Sequence, residues 1–259
     1  MPGSNWAAGT TAVAGPDPVV AAVSLVACIP LAILEAASTP SPRAPCACTV
    51  PRVANGRLIT IEGIDGAGKS TLAHALATAL ATRGATRVKL LREPGGVEVS
   101  ERIRDLVKDP ALTVAPRTEA LLYAAARAQL VDELLQPLLD DGAVVLLDRF
   151  VDSSLAYQGA GRALGIAEVR AINLFATGPL TPDRTLLLSI SPARGRARQH
   201  ERALEPDRME REDESFFAAI AAAYQQLADA EPERIRVIDA DQPPEQVLRS
   251  ALAALQDLL

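Results

Sequence analysis

Cysteine, histidine and excess positive charge are all scarce in this sequence, and each shortage removes a class of function. The three cysteines, Cys28, Cys46 and Cys48, all precede residue 49 of the 259. Everything after them must fold without a disulfide or a thiolate metal centre, which suits a reducing cytoplasm. His74 and His200 are the only histidines. They are too few for a histidine-based zinc centre, and each reads as a surface helix residue. Lys and Arg number 26 against 32 Asp and Glu, a net charge of −6. No basic surface for nucleic acid is indicated, and a small phosphorylated ligand fits better than a polymer. No internal repeat is visible.

Residues 1–56 differ in composition from the rest: rich in Ala, Pro, Ser and Thr, without Lys, and without Arg before Arg43. The apolar run Val19 to Leu34 contains Pro30 and is short for a membrane span, so no membrane association is expected. Leu25-Val26-Ala27-Cys28 resembles a lipoprotein cleavage box, but the residues ahead carry Asp17 and no positive charge, unlike a secretory n-region. The stretch is expected to be a disordered extension, or upstream sequence translated from a start assigned too early, with Val50 or Val53 as alternative initiators.

What is present centres on Gly63-Ile64-Asp65-Gly66-Ala67-Gly68-Lys69-Ser70, followed by Thr71. It satisfies G-x-x-x-x-G-K-[ST], the loop whose backbone N–H groups cradle phosphates. Arg57 to Glu62 before it reads as a buried strand. Leu72, Leu76, Ala79 and Leu80 after it recur at helical spacing up to Gly84. Strand, loop and helix together aim N–H groups and a helix dipole at one point. Lys69 is expected to stand open to the β- and γ-phosphates of ATP, and the Ser70 hydroxyl to sit on Mg²⁺.

From Arg57 onward strands and helices alternate, the signature of a parallel sheet covered on both faces. Further strands are expected at Thr86–Leu91, Ala143–Leu147, Arg184–Ile190 and Arg234–Ile238. Helices are expected at Ser100–Val107, Pro116–Leu139, Ser153–Gly159 and Ile166–Ala176, then up to Ala230 and over Pro244–Leu258. Residues 57–259 therefore make one α/β domain with a five-stranded parallel sheet of the phosphate-loop NTPase type and an Arg-rich lid. Ligands of such sheets bind at the strands' carboxyl ends. Asp65, Arg92, Glu93, Asp148 and Arg149 converge there, an arrangement suited to phosphoryl transfer.

The phosphate loop, Arg92-Glu93-Pro94-Gly95-Gly96, the block Asp148-Arg149-Phe150-x-x-Ser153-Ser154-x-Ala156-Tyr157-Gln158 and Asp207-Arg208 together resemble bacterial thymidylate kinases, from about residue 57 to the end. The resemblance implies transfer of the γ-phosphoryl group of ATP to dTMP with Mg²⁺, in a cytoplasmic homodimer. It implies that Asp148 serves the metal with Ser70, and that Arg149 forks onto the substrate phosphate. Arg127 would contact the nucleotide, Tyr123 stack on thymine, and Asp65 lie near the sugar and metal. Glu93, Ser154 and Gln158 would join them around the substrate. The ring of Tyr157, more than its phenol oxygen, would exclude a 2′-hydroxyl. Departures from the family pattern fall at Ala126, Leu130, Ser189, Ala193 and Met209.

Some members of the family carry an arginine in the loop, where this chain has Gly66. The catalytic cation is then expected from the lid, as Arg198 and Arg202, one helical turn apart. Adding Gly66→Arg to a variant impaired at a lid arginine is expected to restore turnover in part. Two other functions remain open: another nucleoside monophosphate or deoxynucleoside kinase, and a nucleotide-binding switch without turnover. The absence of an N-K-x-D guanine-reading segment and the presence of Arg127 and Arg149 speak against the switch.

Overall fold

The computed structural model describes residues 56–85, 87–201 and 205–259. Five strands, β1 (Arg57–Glu62), β2 (Val88–Arg92), β3 (Val144–Asp148), β4 (Arg184–Ser189) and β5 (Ile235–Asp239), form one parallel sheet in the order β2-β3-β1-β4-β5. The helices are α1 (Lys69–Thr82), α2 (Glu98–Lys108), α3 (Pro116–Leu130), α4 (Gln136–Asp140), α5 (Val151–Ser154), α6 (Ile166–Thr177), α7 (Pro192–His200), α8 (Glu214–Ala230) and α9 (Pro244–Ala254). The fold class is the expected one. Residues 1–55, on which the extension and lipoprotein-box readings fall, lie outside the described residues, as do Thr86 and residues 202–204.

Period-two alternation along the central strands builds a core on each face of the sheet. Ile59, Ile61 and Leu146 pack with Leu72, Leu76 and Leu80 of α1 and with Val247 and Ala251 of α9. Leu58, Val145 and Leu147 turn the other way, against Leu130, Leu135 and Leu139. Register brings the strand ends level: Asp148 pairs with Ile61 of β1 and with Arg92 of β2.

Two helices expected to be regular are not. The long segment after Pro116 passes through a π-helical turn, Val131–Leu135, before α4 resumes it. Pro137 explains the break, since it has no N–H to donate and its ring crowds the carbonyl four residues back. The segment expected over Ser153–Gly159 begins at Val151 and widens into a second π-helical stretch, Leu155–Gly161. That stretch carries Tyr157 and Gln158, and π-turns often occur at functional sites.

Asp152 of α5 ties that helix to the far edge of the sheet. Its two oxygens accept from Arg234 Nη1 at 2.7 Å and Nη2 at 3.0 Å, and Thr185 Oγ1 donates to it at 3.2 Å. Asp152 and Arg234 are both mostly buried. Asp152→Ala would leave the guanidinium only Glu231 and the Thr185 hydroxyl, and is expected to lower the unfolding free energy by about 1–3 kcal/mol in urea titrations. A loss below about 1 kcal/mol would contradict the assignment of this pair as a structural tie.

Candidate active site

The phosphate loop leaves β1 at Gly63 and enters α1 through Gly68, whose left-handed φ of 95° at the helix N-cap requires glycine. Gly66 is required for a second reason. A Cβ there would lie 2.1 Å from the carbonyl oxygen of Gly195 in α7, at a φ of 80°. The lid helix is seated directly on the loop, so an arginine at position 66 cannot simply replace a lid arginine.

Lys69 is only 7% exposed, contrary to the expectation of an open ammonium. Its Nζ turns back to donate to the carbonyls of Gly63 at 3.1 Å and Ile64 at 3.0 Å. Burial and the neighbouring Arg149 pull it down to about 8, against the carboxylates of Asp65, Asp148 and Glu62. Ser70 Oγ donates to Asp148 Oδ2 at 2.9 Å, so these two oxygens from α1 and β3 stand side by side. Among the described residues no cluster of three His, Cys, Asp or Glu is present. A cation held here would complete its shell with water and phosphate oxygens, which is the habit of Mg²⁺.

Arg149 follows Asp148 in a left-handed conformation, φ 71°. Its guanidinium donates to Asp65 Oδ1 at 2.6 Å, Tyr157 Oη at 3.1 Å, Ser153 Oγ at 3.1 Å and the Gly63 carbonyl at 3.2 Å. The Tyr157 ring lies beneath it, 4.8 Å away. Tyr157 Oη donates to Asp65 Oδ2 at 2.8 Å, so the phenol oxygen belongs to the same network. Burial alone would raise the Asp65 carboxyl. Arg149, Lys69 and the Tyr157 hydroxyl outweigh it and hold the group well below the usual carboxylate range.

Arg127 is not the solvated side chain its mid-helix position would suggest. It is 2% exposed, and every N–H has a partner: Nε and Nη2 approach Glu93 Oε2 at 2.7 Å, Nη1 meets Ser154 Oγ at 2.9 Å and Asn173 Oδ1, and Nη2 donates to the Phe150 carbonyl at 2.9 Å. A nucleotide meeting this guanidinium must displace one of them. Tyr123 stands one turn earlier on α3, half-buried.

These side chains line one cavity of about 380 Å³, a suitable size for a small ligand. Asp65, Lys69, Ser70, Asp148 and Arg149 form one end; Glu93, Tyr123, Arg127, Ser154, Tyr157 and Gln158 form the rest. Arg198 is not among the lining residues. It donates to the Ala240 carbonyl at 3.0 Å, beyond β5, and lies 3.6 Å from Asp241. Arg202 lies outside the described residues.

Sequence reasoning placed Arg92 at this end of the sheet but missed two lining cations, Arg104 and Lys108. Arg104 and Lys108 are four apart on α2, a spacing that would have placed them on one helix face. It also missed Glu62, which no motif flags. Fully buried, Glu62 accepts from the Phe150 N–H at 2.7 Å, Ser153 Oγ at 2.6 Å and Tyr224 Oη at 2.8 Å, and so fixes the backbone just after Arg149.

A parallel α/β sheet, a phosphate loop after its central strand, and a cation-rich cavity that the loop helps to line define a nucleotide-dependent phosphotransferase. The thymidylate kinase family model matches residues 61–251. The chain belongs to the thymidylate kinase family. It is 47% identical over 199 residues to the thymidylate kinase of Lactobacillus delbrueckii, covering 76% of this chain and 94% of the relative. With that of Deinococcus radiodurans it shares 44% over 205 residues, 79% of this chain and 98% of the relative. The crystal structure of thymidylate kinase from Ehrlichia chaffeensis superposes with a TM-score of 0.65 at 28% identity, over 78% of this chain and 99% of that one.

Burial, reinforced by Asp152, pushes the Glu62 carboxyl from its ordinary 4.5 up to about 7. The folded state therefore takes up a proton that the unfolded chain releases. The stability linked to this group is complete below about 4.5 and is lost as pH rises through about 7. Glu62→Gln keeps an acceptor for the Phe150 N–H and never ionises. Thermal melts from pH 5 to pH 8 are expected to show wild-type stability falling relative to Glu62→Gln; a difference independent of pH would contradict the raised carboxyl.

Proposed function

We infer that the chain transfers the γ-phosphoryl group of ATP to dTMP, giving dTDP. The observation that supports this reading most is the gathering of anion-binding groups in one cavity: Lys69 and Ser70 on the phosphate loop, Arg149 beside them after β3, and Arg92, Arg104 and Lys108 on the same lining. Phosphoryl transfer asks mainly for positioning and charge stabilisation, and this arrangement supplies both.

The loop from Gly63 to Thr71 holds the ATP phosphates, with Lys69 swinging from the Gly63 and Ile64 carbonyls onto the β- and γ-oxygens. Ser70 Oγ and Asp148 would hold Mg²⁺, whose charge offsets that of the transferring group. Arg149 offers its Nε–H to the acceptor phosphate, and forks onto it only by releasing one of the contacts its Nη groups make with Gly63, Ser153, Asp65 and Tyr157. Arg104, which spends Nη1 on the Pro94 carbonyl, adds a second cation to that phosphate. The base lies between Tyr123 and Gln158, and the Tyr157 ring bars a 2′-hydroxyl. Arg198 reaches the phosphoryl group only if α7 shifts from its seat on Gly66.

The catalytic body is residues 57–259. No helix among the described residues is long and apolar enough to cross a membrane, and a cytoplasmic location fits the need for ATP. A homodimer fits the surface of α2, α3 and α6. Phe175 (95% exposed), Leu174, Leu121, Val99 and Leu106 leave more apolar area in water there than scattered residues would.

An ADP-coupled assay over dTMP, dUMP, UMP, CMP and thymidine tests the reading, with dTMP expected to give the highest kcat/KM. Tyr157→Phe removes the hydroxyl that links Asp65 and Arg149. It is expected to lower kcat by about 5–10-fold, equivalent to about 1–1.5 kcal/mol, while preference for dTMP over UMP changes less than about threefold. An unchanged kcat would show that the hydroxyl plays no part in turnover.

A further inference from the structure

Gln158 enters the cavity wall from the π-helical stretch and is 2% exposed. Its Nε2 donates to Glu119 Oε1 at 2.9 Å. Glu119 sits in the first turn of α3 with no exposed surface and does not line the cavity. Its Oε1 also takes Arg162 Nε at 3.2 Å, while Oε2 takes Arg162 Nη2 at 3.1 Å and Arg208 Nη1 at 2.8 Å. A carboxylate clamped between two guanidinium groups has only acceptors to offer. The amide of Gln158 can therefore turn only its NH₂ toward Glu119. Its carbonyl oxygen is left on the cavity side, and no donor among the described residues reaches it.

We propose that Glu119, without touching substrate, locks the Gln158 amide with its carbonyl toward the nucleobase, and so selects a pyrimidine that carries a proton on N3. Thymine and uracil present N3–H to that acceptor. Cytosine presents a lone pair to a lone pair, and both would be buried without a partner. The inference rests on the reading of this cavity as the acceptor-nucleotide site with Gln158 at the base edge.

Glu119→Gln reverses the lock. Arg162 Nη2 and Arg208 Nη1 both approach the Oε2 position, against the longer contact of Arg162 Nε alone at Oε1, so the new amide favours its oxygen at Oε2. Its NH₂ then faces Gln158, whose own amide must rotate and present NH₂ to the base. Arg162 keeps Glu212 at 2.6 Å and Arg208 keeps the Val107 carbonyl at 2.9 Å, while Arg162 Nε gives up its contact with Oε1.

The test measures kcat/KM of the full chain for dTMP and for 5-methyl-dCMP, which differs from dTMP only in the N3 and C4 pattern. Wild type is expected to favour dTMP by at least about a hundredfold, between the effect of one lost contact and of a dedicated polar site. Glu119→Gln is expected to cut that ratio at least tenfold, and Glu119→Asp, still acceptor-only, to cut it less. Gln158→Leu, which leaves the Glu119 cluster in place, is expected to bring the ratio toward one and serves if Glu119→Gln does not fold. A wild type that uses 5-methyl-dCMP as well as dTMP overturns the proposal. So does an unchanged ratio in folded Glu119→Gln, or in Gln158→Leu. Wild type without activity on dTMP would instead overturn the functional reading beneath it.

Discussion

Arg149 is the constraint on which the site depends. An L-residue in the left-handed region costs roughly 1–2 kcal/mol, so the conformation persists only where the surroundings over-determine it. Here they do. The Arg149 N–H donates to Ile61 of β1 at 3.1 Å, the next N–H is held by Glu62, and the guanidinium spans Asp65, Tyr157, Ser153 and Gly63. One residue at the end of β3 is thereby locked to both ends of the phosphate loop's first half. Donor and acceptor sites are consequently parts of one rigid assembly, and their separation is set by β1 and β3 pairing rather than by a loop.

The remaining charges are arranged around that assembly in layers. Asp65 and Asp148 keep Lys69 and Arg149, two cations that would otherwise repel, at the same end of the cavity. Glu93, Ser154, Asn173 and the Phe150 carbonyl absorb the donors of Arg127 and make it a strut between α3, α6 and the segment after β3. Glu119 pairs with both Arg162 and Arg208, which joins the stretch following the lid to α3. Buried arginines in this fold are mostly paired to buried carboxylates, as the cost of unpaired buried charge demands.

What the sequence makes legible is local. The phosphate loop, the apolar strands and the Asp148 to Gln158 block each carry their signal within about a dozen residues, and all five strands fall within two residues of their expected bounds. What it hides is long-range. Glu62 meets Tyr224 across 162 positions and Arg234 meets Asp152 across 82, and neither periodicity nor a motif encodes such pairings. Arg127 reads as a surface residue on spacing alone because its partners come from three other elements. Gly66 reads as the site of a missing arginine, yet it is where Gly195 of α7 comes closest. The orientation of Arg198 toward Ala240 is likewise a tertiary fact. The π-helical stretches follow from Pro137 in one case, but the second has no comparably local cause.

The central claim is that Asp65 and Arg149 act as one unit in phosphoryl transfer. A double-mutant cycle on kcat/KM for dTMP, using Asp65→Asn, Arg149→Lys and the pair, measures it directly. The account predicts that each single substitution costs about a hundredfold or more, and that the double variant is no worse than the weaker single by more than about threefold. Losses that multiply would contradict it, showing two independent contacts where the structure joins them.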